Sequence, residues 1–445
     1  MITVVGGGPA GRTAAIRLAG AGQEVELIDR GGLGGQCLHH GCMVVCALND
    51  AARLLHSARS LADRGVLDHN PALSFPALIR ELKETQAIIR EVLDRETDQA
   101  GVTVIRGAEA FVEGATVVCE GERRHPDALL IATGSAPRIP AIEGIDLPGV
   151  HTPHTVLGLD ALPRSLAIIG GGAVGAEYAY IFRSFGCEVD LICRSRLLSA
   201  LDERIGRQVR KDLDGVRIRE QTAVCRIEGS PRADSLVLET GGAEEVIGAD
   251  AVLVAAGLVP RTEMVSGVPT GPSGAILVDA SMRTGVPGVY AAGDVTGPPY
   301  LTPVARYEGR IAADTILGIT AKKDRACIPQ YLSLRYDHAF CTLPPDASAS
   351  FSIPSPSGPG SFWAVRERHT GVSTLDFEPE SGRVTGIHAA APGSAHALPY
   401  LAHLIEKGLT LAEFEDLIEV HPSTDAIPWL VRYAADWRRK NGSDG

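Results

Sequence analysis

The first 29 residues, "MITVVGGGPAGRTAAIRLAGAGQEVELID" (Met1–Asp29), run strand, glycine turn, helix, strand, acid. Ile2–Val5 is an apolar run. Gly6, Gly8 and Gly11 follow in G-x-G-x-x-G spacing and open a helix-like stretch through Leu18, and "EVELID" ends on Asp29. A glycine turn in that setting lets backbone approach a pyrophosphate, and the helix start offers free N–H groups and a positive dipole end. The acid at the end of the second strand can accept hydrogen bonds from a ribose diol. The stretch therefore predicts a Rossmann-like nucleotide-binding unit.

The pattern recurs in "SLAIIGGGAVGAEYAYIFRSFGCEVDLICRS" (Ser165–Ser195), with Gly170, Gly172 and Gly175 in the same spacing. Here Asp29 has no counterpart. Cys193 takes its place and is followed by Arg194, Ser195 and Arg196. A carboxylate there would repel a 2′-phosphate, whereas arginines attract one, so the second site favours NADPH over NADH. Two short apolar strands with Gly/Pro exits close the units: "ALLIATGSAPRIP" with Gly134 and "AVLVAAGLVPRT" with Gly257. A third, "GVYAAGDVTG", sets Asp294 after a strand and precedes a helix expected from about Thr302 to Leu317.

The totals bound the rest. A chain of 445 residues exceeds one ordinary core and divides into several domains. Hydrophobic residues at 45% and charged residues at 22% are the balance of a soluble globular protein, and a net charge of −12 argues against a general nucleic-acid surface. The most apolar long window, Leu166–Phe182, is interrupted by "GGG" and carries Glu177, which argues against a membrane span. The chain starts directly on its first strand, with no secretory leader pattern, and its nine cysteines are too sparse for a secreted disulfide scaffold. A cytoplasmic location is the expectation.

Beyond Asp29 lies "LGGQCLHHGCMVVCALND" (Leu33–Asp50), with three cysteines and two histidines close together. In isolation it reads as a metal site, a redox-active disulfide or crowded core. Zinc sites usually pair cysteines two to four residues apart with a second pair elsewhere, and no second such pair occurs, although His39 and His40 could assist Cys37 and Cys42.

In this order the pieces resemble the FAD-dependent pyridine nucleotide-disulfide oxidoreductases, the group of glutathione reductase, dihydrolipoamide dehydrogenase and mercuric reductase. The resemblance covers nearly the whole chain. It implies an α/β fold: an FAD unit at 1–145 and 277–325, an NAD(P) unit at 146–276, and an α+β interface domain at 326–445. It makes Gly6, Gly8, Gly11, Asp29, Gly134 and Asp294 FAD residues. Gly170, Gly172, Gly175, Arg194, Arg196 and Gly257 become nicotinamide-nucleotide residues. "GGQCLHHGC" matches the family's redox-cysteine motif, so the resemblance implies a Cys37–Cys42 disulfide. Electrons would pass from NAD(P)H through FAD to that bond. Cys42 would be the flavin-side thiolate and Cys37 the sulfur that attacks a small-molecule or protein disulfide.

"IEVHPSTDAIPWL" near the C-terminus resembles the family's His-Pro segment, in which the histidine serves the partner subunit's site as acid–base. This implies His421 in that role, a homodimer, and Asp425 as the group that orients the imidazole. Asp425 departs from the family pattern by one position and by a shorter side chain. The stretch "PPDASASFSIPSPSGPGSF" before it reads as an irregular loop. "STLDFEPESGRVTGIHAAA" reads as strands around a turn at Ser381-Gly382, and a helix follows from about Ala395 to Gly408.

One departure bears on the chemistry. The family commonly sets a lysine four residues after the second redox cysteine, paired with a glutamate beside the flavin. The glutamate matches Glu177, but Cys46 stands in place of the lysine. Glu177 without a cationic partner should have a raised pKa. Cys46, one turn beyond Cys42, reads as a third thiol or as an inert filler. Two rivals stand beside the disulfide reductase. One is a mercuric-type metal-ion reductase, whose terminal cysteine pair is missing from "DWRRKNGSDG". The other is a non-catalytic, redox-sensing flavoprotein subunit.

Overall fold

In a computed structural model, residues 1–343, 349–354, 365–366, 371–418 and 426–441 are described. His421 and Asp425 lie outside them, as does most of the Pro/Ser/Gly-rich stretch.

Two five-stranded parallel sheets organise the first three hundred residues, one built on each glycine motif. In the first, strands run in the order 289–291, 128–131, 2–5, 25–29, 103–106. Ile2–Val5 and Ala128–Ile131 are buried throughout, as strands covered on both faces must be. Its helices are α1 (Pro9–Gly20), α2 (Gly35–His39), α3 (Cys42–Ala62) and α4 (Phe75–Gln99). The second sheet runs 217–219, 188–192, 165–169, 251–254, 150–151. It carries α5 (Ala173–Phe185) and α6 (Glu203–Asp212). Both fingerprints thus give the strand–turn–helix units that the glycine spacing predicts.

The chain crosses between these units twice, and the crossings pair with each other. Ser135–Pro137 lies antiparallel to Leu258–Pro260, with Arg138 N donating to Gly257 O at 2.9 Å and Arg261 N to Gly134 O at 2.9 Å. Gly134 and Gly257 have φ of +76° and +103°, which suits glycine where the strand turns out of its sheet. Val265–Ser266 then pairs with Val112–Glu113 of a smaller sheet on the first unit, and Val289–Ala291 completes the first parallel sheet.

α7 (Thr302–Ile316) returns across the first unit onto α1. The approach is close enough that a Cβ on Gly309 would collide with the backbone of Ala10. α3 packs on α5 instead. Val44, Leu48 and Ala52 share one buried cluster with Tyr178 and Phe182, and Phe75 of α4 lies 6.3 Å from the Phe182 ring. The helix that begins at Cys42 is therefore buried against the helix that carries Glu177.

The C-terminal part is an antiparallel sheet in the order 330–333, 337–342, 384–391, 372–377, 349–354, with α8 (Ser394–Glu406), α9 (Leu411–Glu415) and α10 (Ala426–Asn441). Here the sequence expectation fails in one place. Ala349–Pro354, read as irregular from composition, is the edge strand beside Val372–Phe377. The Phe351 ring stacks 5.5 Å from Phe377 and 5.2 Å from Trp437, and this burial outweighs the surrounding serines and prolines.

Candidate active site

A cavity of ≈ 470 Å³ runs along the C-terminal edge of the first sheet. It starts at the glycine turn, passes Asp29 and ends at Cys37, Cys42 and Thr302. Such a crevice at the strand ends is where open α/β sheets bind ligands. α1 opens onto it with Gly8 as N-cap and no capping side chain, so its first amides remain available to an anion.

Three glycines have no room for a side chain. A Cβ on Gly6 would meet the Ala132 carbonyl, one on Gly7 the Asp29 carboxylate, and one on Gly11 the Gly6 carbonyl. Gly8 differs: a Cβ there would approach only Gly35, leaving its backbone bare toward the cavity. Asp29 is buried and accepts from Gly7 N at 2.5 Å, Gly31 N at 2.9 Å and Gly32 N at 2.6 Å, so it binds the glycine turn to the loop leading to Cys37. At the opposite wall, Asp294 accepts a 2.6 Å hydrogen bond from Ser135, and burial raises its pKa. Buried Glu308 in turn accepts from Gly293 N at 2.7 Å and from Lys323. The bare amides, the collision-free Gly8 and the two cavity-edge acids suit a flavin dinucleotide with its pyrophosphate at α1.

Cys37 ends up on α2 and Cys42 is the first residue of α3, so the pair spans a sharp break at Gly41. Their thiols act on each other's ionisation, and Thr302 Oγ1 of α7 stands 3.6 Å from Cys42 Sγ. The Cys42 interaction, the Thr302 hydroxyl and the Arg306 charge bring Cys37 down to about 6, against the opposing effect of burial. Holding the shared proton, Cys42 is pushed above the ordinary thiol range. In the dithiol the easier ionisation therefore falls on Cys37. The histidines between the cysteines turn elsewhere. His39 Nε2 faces Leu33 O at 3.2 Å, and the His40 ring stacks on His154 at 4.5 Å. Burial lowers both rings of the stacked pair, His154 to about 4, so they are neutral near pH 7.

Cys46 lies one turn along α3 from Cys42, with its Sγ 3.4 Å from the Tyr331 hydroxyl. Burial raises the Cys46 thiol. Glu177 accepts from Ser333 N at 2.9 Å. Its side chain is half-buried, yet the protein around it is dense enough that burial drives its carboxyl up to about 8, against the Ser333 N–H hydrogen bond and the Arg53 charge, which both pull it down. The rise expected from the lysine's replacement is present.

At the second fingerprint α5 also starts without a capping side chain, and a Cβ on Gly172 would meet nothing within 4 Å. Gly170 and Gly175 are closed in by the Ala255 and Gly170 carbonyls, as at Gly6 and Gly11. Cys193 is buried, and Arg194 is exposed at the same edge. Arg196 departs from the expected pair. It folds inward, donating to Leu197 O at 3.4 Å and Leu201 O at 3.2 Å. Glu220, which no local motif marked, accepts from Leu197 N at 2.5 Å and from Arg210. Thr302, Ser135 and His154 also come to the first cavity from distant segments, and Tyr331 comes to Cys46, without a motif to announce them.

A family model described as pyridine nucleotide-disulphide oxidoreductase matches residues 1–309. The mercuric reductase of Lysinibacillus sphaericus is 29% identical over 444 residues, covering 94% of this chain and 79% of that one. The dihydrolipoyl dehydrogenase of Bacillus subtilis is 30% identical over 440 residues, covering 95% of each. The solved structure of the HOCl-induced flavoprotein disulfide reductase RclA from Escherichia coli superposes with a TM-score of 0.84, covering 97% of this chain and 98% of that one; at 24% identity it speaks for the fold. Together with the two nucleotide units and the paired cysteines, these matches show that the chain belongs to the pyridine nucleotide-disulphide oxidoreductases, a family of flavoprotein enzymes in which FAD and NAD(P)H are the typical cofactors.

Proposed function

We propose that this protein is an NADPH-preferring, homodimeric disulfide reductase of the dihydrolipoamide dehydrogenase type, acting in the cytoplasm through Cys37 and Cys42. The carrying observation is that both sulfurs meet in the wall of the cavity that α1 opens onto. Bound FAD would supply the two-electron transfer from the nicotinamide to the Cys37–Cys42 disulfide. The residues proposed to hold it are Gly6, Gly8, Gly11, Asp29, Gly134 and Asp294. Gly170, Gly172, Gly175, Gly257 and Arg194 would serve the nicotinamide nucleotide. Arg196 would act there through the loop it ties down.

Once reduced, Cys37 attacks one sulfur of the substrate disulfide. The substrate S–S bond breaks, a mixed disulfide with Cys37 forms, and the leaving thiolate takes a proton. His421 of the partner subunit is the proposed proton donor, with Asp425 orienting it. Cys42 then attacks the Cys37 sulfur, the second substrate thiol leaves, and the Cys37–Cys42 disulfide returns. The net change is one substrate disulfide to two thiols at the expense of one NAD(P)H. Thr302 and Arg306 hold the thiolate that starts the sequence.

The proposed division assigns 1–145 and 277–325 to the flavin unit, 146–276 to the nicotinamide unit and 326–445 to the interface. The pairing of Val265 with Val112 extends the flavin unit's contacts just ahead of residue 277. A mercuric-type reductase is the second reading, favoured by relatives such as that of Lysinibacillus sphaericus. A panel of lipoamide, glutathione-type and protein disulfides together with Hg(II), each assayed with NADPH and NADH, separates the two. Fastest turnover on a disulfide supports the proposal. Turnover confined to Hg(II), or none on any acceptor, rejects it.

A further inference from the structure

Cys37 and Cys42 are not the only cysteines that the fold brings together. Cys327 and Cys341 share one buried cluster and act on each other's ionisation, deep in the C-terminal domain and outside the chemistry described above. Cys341 sits in the strand Asp337–Thr342, paired to Ile387 across the sheet. Cys327 lies on the segment between α7 and Gln330, where its backbone N–H donates to Glu406 at 2.7 Å. Both side chains are buried, and among the described residues no group of metal-ligating side chains surrounds them.

A second cavity, of ≈ 200 Å³, reaches Cys327. Cys327 is in its wall with Lys323, Arg325 and His403, and Pro303 and Val304 form the side toward the first turn of α7. Those two residues directly follow Thr302, whose hydroxyl contacts Cys42. The Cys341 interaction holds Cys327 below the ordinary thiol range, while the same interaction and burial push Cys341 up. The more acidic sulfur of the two is thus the one in the cavity wall, with a protonated thiol at its side, although the Glu406 carboxylate in the same wall works against its ionisation.

We propose that Cys327 and Cys341 form a second dithiol–disulfide couple, oxidised by a small peroxide that enters the cavity beside Cys327. The Cys327 thiolate attacks the terminal oxygen of the peroxide. The O–O bond breaks, the alcohol or water leaves with a proton, and Cys327 becomes a sulfenic acid. Cys341 then attacks that sulfur, the S–S bond forms and water leaves. The two sulfurs give up two electrons and the peroxide accepts them. The product joins the segment leaving α7 to the centre of the C-terminal sheet, next to the helix start that touches Cys42. The cavity volume suits a small hydroperoxide and excludes a bulky disulfide.

The test uses the full-length flavoprotein, wild type and Cys37→Ser, treated with hydrogen peroxide, alkylated, digested and mapped for linked peptides. The expected result in both proteins is one linked peptide pair joining Cys327 to Cys341, lost again on treatment with dithiothreitol. In Cys341→Ser, Cys327 should instead accumulate as a dimedone adduct, with turnover of the untreated enzyme unchanged. Cys225, an exposed thiol, reports the dose. If Cys327 and Cys341 stay alkylatable at a dose that oxidises Cys225, or oxidise without linking, the proposal is overturned. Because wild type is mapped directly, a variant that fails to fold leaves the outcome readable.

Discussion

Cys42 and Thr302 each begin a helix, and the two helix starts meet, with Sγ and Oγ1 3.6 Å apart across 260 residues of sequence. The positive ends of α3 and α7 therefore converge on the sulfur pair. A thiolate formed there receives a hydroxyl hydrogen bond and two helix dipoles, while Arg306 adds charge from α7.

The first prediction concerns the pH dependence of the dithiol. With Cys37 brought down to about 6, its thiolate is populated above that pH and lost below it. Alkylation of the reduced enzyme by iodoacetamide should rise through a midpoint near pH 6. Thr302→Val removes one stabilising donor and should move the midpoint up by roughly half a unit to one unit, a neutral hydrogen bond's share. An unchanged midpoint in the variant would remove Thr302 from the account.

Glu177 makes a prediction of opposite sign to most carboxylates. Its folded pKa of about 8 lies above the unfolded value near 4.3, so the folded chain holds a proton that the unfolded chain has lost. The contribution to stability is complete below about pH 4.3, declines as pH rises and is gone above about pH 8. Relative to Glu177→Gln, which keeps an acceptor for Ser333 N, wild type should lose up to about 5 kcal/mol across that window, at roughly 1.4 kcal/mol per pH unit. Cys46→Lys gives the carboxylate a cation and should abolish most of the decline. Parallel pH–stability curves for wild type and Glu177→Gln would contradict the assignment.

Gly7→Ala tests the cavity. The added methyl meets the Asp29 carboxylate and Leu33 at once, and the Gly7–Asp29 hydrogen bond is lost with it. The purified variant should carry several-fold less FAD than wild type, and added FAD should not restore it. Full flavin content would mean that the glycine turn is not the pyrophosphate cradle.

Arg194→Ser tests nucleotide choice. Removal of an exposed cation paired with a 2′-phosphate costs about 1–2 kcal/mol, or roughly tenfold in NADPH KM, with NADH little affected. Equal effects on both nucleotides would show that Arg194 does not read the phosphate. Arg196→Ser should instead loosen the Leu197–Leu201 loop and weaken both.

Both nucleotide units were legible because each fingerprint is local: strand, turn, helix and strand lie within thirty residues, and the glycines are fixed by backbone collisions with immediate neighbours. The cysteine pair was legible for the same reason. What sequence left hidden is assembled over distance. Ser135 reaches Asp294, Thr302 reaches Cys42, and Tyr331 reaches Cys46 only after sheets and helices have packed. Arg196 misled because a charge pattern does not reveal whether a long side chain turns toward solvent or back to carbonyls. The strand Ala349–Pro354 was masked by its composition, since its stability comes from Phe351 on Phe377 rather than from local propensity.

The central claim is that electrons from a nicotinamide reach the sulfurs of Cys37 and Cys42. The direct measurement is anaerobic reduction of the FAD-loaded protein by one equivalent of NADPH, followed by quenching, isotope-coded alkylation and peptide mapping. The account predicts new label at Cys37 and Cys42 together, and at neither in Cys42→Ser beyond its unreduced level. Oxidation of NADPH with no new thiol at either position would contradict it.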